Sequence, residues 1–521
     1  MSGSYCASNL TSGFIDLATY DELEKYMYGG QDATSYFVRQ TRRATWFTQV
    51  PVVLSRASGS PDFGNDWSVT ISRAGDYLLH TWLRVTIPAL TAAAPPTGTA
   101  AITEQIGGAQ YTLYQKYISW TPNLMHNLVR ECCITFNDLV AARFDNYHLD
   151  FWSAFTTPAG KQLGYSTMIG NVPELIDPSI SLPKKVLNLP LPFFYTRDSG
   201  VALPTAALPY NDMRIFFSFR QLTELLNVWY VYTTNPASPT QLFIKPAQPV
   251  NPAVDLVQTS SNYSLSSSAQ VWANYAIVSN DERKRMACAP RDILIEQVQT
   301  APWQTFNPLG TTNYDIRFSH AIKALFFAVQ NTTIPSYWSN YTTREPQVCQ
   351  NAGGSTHLVL DNYFPGADPI DNTTLIYENT QRLANMGSDY FSYVEPYYAA
   401  PVIPTFTGYH VYSYSLDFIC LDPLGSTNYG KLTNVSIIPI ASADAKCVST
   451  PYSATNPVCA DNNDWYPRPQ TFRFIVTAVN NNIIRISGGK IPRVPPTAGS
   501  QSGCGMTRMV RECNIPLIPC F

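Results

Sequence analysis

Hydrophobic and polar positions alternate with period two along several stretches of the chain. Met213, Ile215, Phe217 and Phe219 alternate with Arg214, Phe216, Ser218 and Arg220. Tyr412, Tyr414, Leu416 and Phe418 alternate with Val411, Ser413, Ser415 and Asp417, and Phe472, Phe474, Val476 and Ala478 with Arg473, Ile475 and Thr477. Successive side chains of a strand point to opposite faces, so each run predicts a strand with one set buried and the other outward. Further strands are predicted at 46–54, 77–88, 131–137 and 321–330, separated by turns where Pro, Gly and Asn cluster. Helical spacing is rare. Residues 21–27 predict one or two helical turns, and NYHLDFWSAF at 146–155 puts His148, Trp152 and Phe155 on one helical face. Many short strands, few helices and Pro-rich loops make an all-β chain of sandwiches or barrels.

A weak echo divides the chain. Pro192-Phe193-Phe194 precedes the alternating run at Met213, and Pro396-Tyr397-Tyr398 precedes the run at Tyr412, a separation of 396 − 192 = 204 positions. The echo points to two similar domains in tandem. The Thr-, Pro-, Ser- and Asn-rich stretch 233–270 is the candidate linker.

Composition narrows the function. Charged residues make up only 14% of the 521 positions, against roughly 25% in an average soluble domain. Aromatic residues reach 13% and there are 40 prolines. A weakly charged, aromatic-rich surface tends to associate, so a large oligomer interface is expected. With 34 Lys plus Arg against 37 Asp plus Glu, nothing attracts polyphosphate at long range, and nucleic acid is not an expected partner. The dense basic cluster DERKR at 281–285 reads as a solvated turn. The start, MSGSYCASNL, has no basic-then-apolar signal, Ser2 stands where myristoylation needs Gly, and no apolar run approaches the roughly 20 residues of a membrane span. The chain is therefore expected to be made and kept in the cytosol. Its 11 cysteines include no Cys-x-x-Cys pair and read mostly as buried thiols, with Cys132 and Cys133 on opposite faces of a strand.

Candidate chemistry is sparse. The six histidines form no metalloprotease pattern, and His320 reads as a hydrogen-bonded core group. Ser487-Gly488-Gly489-Lys490 lacks the first glycine of a phosphate loop and has Ile491 where Ser or Thr belongs. There is no Gly-x-Ser-x-Gly elbow, and no pair of carboxylates is singled out. The sequons at Asn9, Asn262, Asn331, Asn340, Asn372 and Asn434 read as unmodified asparagines. No catalytic, cofactor-binding or metal residue is assigned, and no cofactor is expected.

Ordered blocks run through most of the chain: TSGFIDLATYDELEKYMYGG (11–30), YFVRQTRRATWFTQVP (36–51), ISRAGDYLLHTWL (71–83), WTPNLMHNLVREC (120–132), LPLPFFYTRDSGVALPTAALPYNDMRI (189–215), RFSHAIKALFFAVQN (317–331), TGYHVYSYSL (407–416) and NNNIIRI (480–486). In these the chain resembles the iridovirus-type major capsid proteins, members of the double jelly-roll capsid family of nucleocytoplasmic large DNA viruses. The resemblance implies an all-β fold of two tandem jelly-roll sandwiches with short loop helices. It implies an N-terminal arm at 1–45, jelly rolls at 46–232 and 265–490, a linker at 233–264 and a C-terminal tail at 491–521. It further implies a homotrimeric, pseudo-hexagonal capsomer that tiles an icosahedral shell. The partners would be neighbouring capsomers and minor capsid proteins, with the inner viral membrane touched only indirectly. The chain would reside in the virion, and in host cytoplasm during assembly, and it would not be an enzyme.

Two departures accompany the resemblance. Residues 89–111 read as a loop insertion. The 521 − 487 + 1 = 35 residues from Ser487 extend past the family's usual end. They hold Pro492, Pro495, Pro496, Pro516 and Pro519 beside Cys504, Cys513 and Cys520, and read as an extended strap packed on a neighbour or on the second jelly roll. Two other classes stand as alternatives to the shell subunit. A carbohydrate-binding or glycoside-cleaving β-sandwich would explain the aromatics, and a viral attachment protein would bind a receptor as an isolated chain.

Overall fold

A computed structural model describes residues 5–486, except 40, 42, 98–100, 107–108, 235–241, 248, 258–262, 266–267, 289–290, 345–346, 351–357, 362–365 and 451–468. The strap expected at the C-terminal end, with its three cysteines, lies outside the described residues. The chain divides into two units, Met1–Trp46 and Phe47–Phe521.

The first unit is helical. Tyr5–Ala18 forms a helix, and Glu22–Tyr28 a second one where one or two turns were expected. Asp21 starts the second by a capping box: its carboxylate accepts from Glu22 N–H, and Glu24 accepts from Asp21 N–H. Two otherwise orphan donors are thereby satisfied. Leu10, Phe14 and Leu17 fall at helical spacing on the first helix, Leu23 and Met27 on the second, and all are exposed.

The second unit is built of antiparallel sheets. One has the order Phe47–Val53, Gln270–Val278, Tyr77–Ile87, Lys185–Pro190. It faces another ordered Ser55–Gly59, Asp66–Thr70, Met213–Phe219, Val129–Phe136, Leu139–Asp145. Between them Met213, Ile215, Phe217 and Phe219 pack with Trp67, Leu83, Val85, Leu187 and Val271 in one core. Trp67 stacks on Phe217 at 4.8 Å. Burying each such side chain contributes about 1.5–3 kcal/mol. A third sheet pairs Leu242–Pro246, Leu226–Thr233, Ala109–Trp120 and Thr103–Ile106.

The second sandwich sets the sheet Arg291–Thr300, Phe472–Ile486, Ala321–Asn331, His410–Ser413 against Tyr314–Asp315, Val435–Ala441, Ile370–Tyr377, Thr380–Gly387. Its core holds Ile322, Leu325, Phe327, Val329, Ile437, Phe472, Phe474 and Val476.

Several expectations change. Gln270–Val278, placed by the sequence reading in the second jelly roll, lies between Phe47–Val53 and Tyr77–Ile87 in the first sandwich. Alternation identifies a strand but not its partner. The supposed linker carries the strand Leu242–Pro246, and its Asp255 is buried against Lys116 at 2.9 Å. The supposed insertion at 89–111 contributes the strand Thr103–Ile106 to the third sheet.

Ile475 and Thr477 are not outward but buried, because their strand is covered on both faces. The run 411–418 is a strand only to Ser413. Beyond it Ser413 Oγ donates to Ser415 O, Ser415 Oγ donates to Asp417 O, and Asp417 accepts from Ile419 N–H. These short side chains take hydrogen bonds that a ladder would use, and Leu416 is left exposed. The DERKR cluster lies in a helix, Asn280–Cys288, and Arg283 pairs with Asp76 at 2.8 Å. His320 sits at a turn with φ +66°, a conformation His tolerates better than most. It is half-buried, and its Nε2 has no hydrogen-bond partner among the described residues. The Pro-aromatic echo is not structural: Phe193 and Phe194 are core residues, whereas Tyr397 and Tyr398 are exposed.

Candidate assembly surfaces

The helix Asn146–Thr156 bridges the two sandwiches, beside a strand contact in which Gln297 Nε2 donates to Ala141 O. Asp145 caps the helix, accepting from His148 N–H at 2.9 Å. Tyr147, Phe151 and Phe155 recur every four residues and so share a face. That face packs on the outer side of the second sandwich, where Ala324, Phe326 and Ala328 alternate with inward-facing residues and Ile475 and Val479 line the adjacent strand. Small alanines flanking Phe326 leave room for the helix. Phe151 stacks on Phe326 at 6.0 Å, Phe155 lies 5.6 Å from it, and Phe418 meets its edge at 5.7 Å. The sequence-predicted helix therefore exists, but Trp152 is only half-buried.

The same helix carries a buried carboxylate. Asp150 Oδ1 accepts from His126 Nδ1 at 2.7 Å and Asn123 Nδ2 at 3.1 Å. Its Oδ2 accepts from Ser339 Oγ at 2.6 Å and Tyr341 O–H at 3.0 Å. His126 and Asp150 side chains are fully buried. Burial and the Asp150 charge push the Tyr165, Tyr341 and Tyr409 hydroxyls well up, so all three stay protonated. A second network joins the halves: Glu296 pairs with Arg197 at 2.8 Å and with Lys323 at 2.6 Å, and Arg197 lies 4.3 Å over the Trp152 ring. Arg220, expected outside, is buried at this junction, donating to Asn127 O and Asn146 Oδ1 and lying 3.9 Å over Trp338. No short motif marks these groups, which come from distant segments.

His148, on the bridging helix, is buried and stacks with Trp152. Burial first, and Arg197 second, push its pKa down from 6.5 to about 3. Unfolded, the group takes a proton near 6.5; folded, only near 3. Between these values the unfolded chain holds the extra proton, so stability falls as pH drops from 6.5 towards 3, by up to about 1.4 kcal/mol per unit. His148→Gln is expected to flatten this slope when unfolding midpoints are compared at pH 7 and 4.5. An unaltered slope would place the acid sensitivity elsewhere.

The cluster of Ser388, Asp368 and His410 does not have the geometry of a catalytic relay. Ser388 and Asp368 both approach Nε2 of His410, while its Nδ1 has no partner among the described residues. A nucleophile and an orienting acid would need opposite ring nitrogens. A cleft of about 650 Å³ opens beside the bridging helix, lined by Trp82, Trp152, Tyr165, Asn188 and Arg197 among others and by no carboxylate. It thus lacks the acid pair of a glycosidase. Among the described residues no three His, Cys, Asp or Glu converge as a metal site, and no helix is long and apolar enough to cross a membrane. Cys132 and Cys133 are both buried, and burial raises the Cys132 thiol well above its usual range. Cys447 is disulfide-bonded, an exception among residues read mostly as thiols. The sequon at Asn331 is buried, its amide donating to Thr342 O and Gln470 Oε1; Asn262 lies outside the described residues.

What the surface offers is apolar area. The edge strand Phe47–Val53 is open to solvent along almost its whole length, with Phe47, Val50 and Val53 exposed. Tyr393, Val394, Tyr397, Tyr398 and Phe406 form a second exposed run, where the wide-wound turn Tyr390–Val394 continues into the helix Glu395–Ala399. Such uncovered area marks interaction sites.

Comparison with known proteins decides the family. Residues 35–278 match the model for the major capsid protein N-terminus, and residues 282–491 match that for the large eukaryotic DNA virus major capsid protein. The chain belongs to this capsid protein family. It is 56% identical over 498 residues to the major capsid protein of Invertebrate iridescent virus 6, covering 94% of this chain and 99% of that one. To the major capsid protein of Lymphocystis disease virus 1 (isolate Darai) it is 45% identical over 493 residues, covering 94% and 98%. The fold resembles the PBCV-1 virus capsid, with TM-score 0.62 at 19% identity over 90% of this chain and all of that one. It also resembles the Faustovirus major capsid protein, with TM-score 0.61 at 12% identity over 92% and 98%. The fold is thus the double jelly roll of viral capsid proteins. The two family models meet between 278 and 282, where the inserted strand Gln270–Val278 ends and the helix Asn280–Cys288 begins.

Proposed function

We propose that three copies of this major capsid protein form a pseudo-hexagonal capsomer that tiles an icosahedral shell. The observation that carries this reading is the pair of sandwiches in one chain, held together by the bridging helix. Three such chains supply six similar corners. We place the first jelly roll at 47–278 and the second at 291–486. Assembly in host cytoplasm, contacts with minor capsid proteins, an indirect relation to the inner membrane and the absence of a catalytic role belong to the same reading. Light scattering of the native protein is expected to give 3 × 58.0 = 174 kDa, with hexagonal outlines by negative-stain microscopy. A stable monomer at micromolar concentration would overturn it.

The arm has a separate role in this reading. Its helices bear exposed apolar stripes and cannot close a core of their own. It lies at the inner base of the capsomer and contacts neighbours or minor proteins. Deleting residues 1–45 should leave trimers intact while shell yield collapses. Normal shells from the truncated chain would refute this role.

A further inference from the structure

We propose that the proline-rich tail beyond Ile486 docks into the aromatic cleft of its own first jelly roll. The cleft is walled by Trp82 on Tyr77–Ile87, Trp152 on the bridging helix and Tyr165 on the helix Ala159–Ile169, over Leu149 and Leu191. Trp82 is braced from the neighbouring strand by Trp272, stacked at 6.0 Å. Tyr165 is held by its hydroxyl on His126 at 2.7 Å. At about 650 Å³ the cleft has the size of a small-ligand site, within the usual range of roughly 300–1,000 Å³. Fixed aromatic walls without acids suit a proline-rich segment, whose preformed extended helix loses little entropy on binding.

The chain supplies such a segment. Ile-Pro-Arg-Val-Pro-Pro occupies 491–496, and the family match stops at 491. The tail leaves from the junction of the two sandwiches: Ile484 and Ile486 pair with Ile293 and Arg291 in the second, while their side chains join the core cluster that holds Leu149 and Leu191 of the first. The 35 residues that follow span on the order of 100 Å when extended, and a segment tethered this closely has a high effective concentration. The strap read from sequence thereby gains a seat on a different domain from the one expected.

The test uses the full chain with Val494 replaced by the photoreactive residue benzoylphenylalanine. Irradiation should cross-link peptides containing Trp82, Trp152 or Tyr165 without doubling the mass on a denaturing gel. Changing Pro492, Pro495 and Pro496 together to Ser should lower the yield about tenfold by removing preorganisation. An unchanged far-ultraviolet circular dichroism spectrum shows that the sandwiches of this variant stay folded. Cross-links elsewhere, bands of doubled mass, no cross-link, or a yield indifferent to the serines would each overturn the proposal.

Discussion

Asp150→Ala is expected to lower stability by about 3–5 kcal/mol, the usual loss when one partner of a buried charged network is removed. Four donors converge on this carboxylate: His126, Asn123, Ser339 and Tyr341. Alanine leaves all four without an acceptor in a site that excludes water, and each buried orphan costs about 1–3 kcal/mol before relaxation. Asp150→Asn should lose roughly half as much. Its oxygen still serves one pair of donors, and the Ser339 and Tyr341 hydroxyls can rotate to accept from the new amide. Because Ser339 and Tyr341 follow the strand Ala321–Asn331, the loss should appear as weaker attachment between the sandwiches. Denaturant midpoints at fixed protein concentration measure it, since oligomerisation shifts apparent stability. An alanine variant within about 1 kcal/mol of the parent would show that water or rearrangement satisfies the donors.

Phe326→Ala should be comparably costly, about 3–5 kcal/mol, because it empties a site the surroundings cannot refill. Phe326 is fully buried between Phe151 and Phe155 on one side and Phe418 on another. Its strand is pinned by ladders to both neighbours, so collapse is limited. Phe151→Ala opens the same space from the helix side. The double variant should therefore lose less than the sum of the singles, by about 0.5–3 kcal/mol. Strict additivity in unfolding measurements would mean that the two rings do not share one cavity.

How much of this was legible depended on how many faces of an element are covered. Met213–Phe219 read correctly because its inward residues are buried and its others only partly so. Phe472–Ile486 and Ala321–Asn331 are buried on both faces, so alternation could place the strands but not tell inside from outside. The helix at 146–155 announced itself by spacing. Its role as a bridge did not, since Phe326 lies far along the chain and nothing local names it. Arg220 was misplaced because a charge at the end of an alternating run looks solvent-facing, whereas here carbonyl and amide oxygens and the Trp338 face receive it. His126 and Asp150 match no known spacing. The shell function is legible only through long ordered blocks, and the Pro-aromatic spacing that likens Tyr397 and Tyr398 to Phe193 and Phe194 does not tell that the tyrosines are exposed.

The strand order of the first sheet has a consequence for the chain as it leaves the ribosome. Among the described residues Phe47–Val53 pairs only with Gln270–Val278, so it waits for 270 − 53 = 217 further residues before it has that neighbour. At about 5–20 residues per second, that strand spends roughly 10–40 seconds as an open template in the nascent polypeptide. Pro51, sitting in the middle of it, removes one donor from the edge and so discourages premature pairing with other nascent chains during that interval.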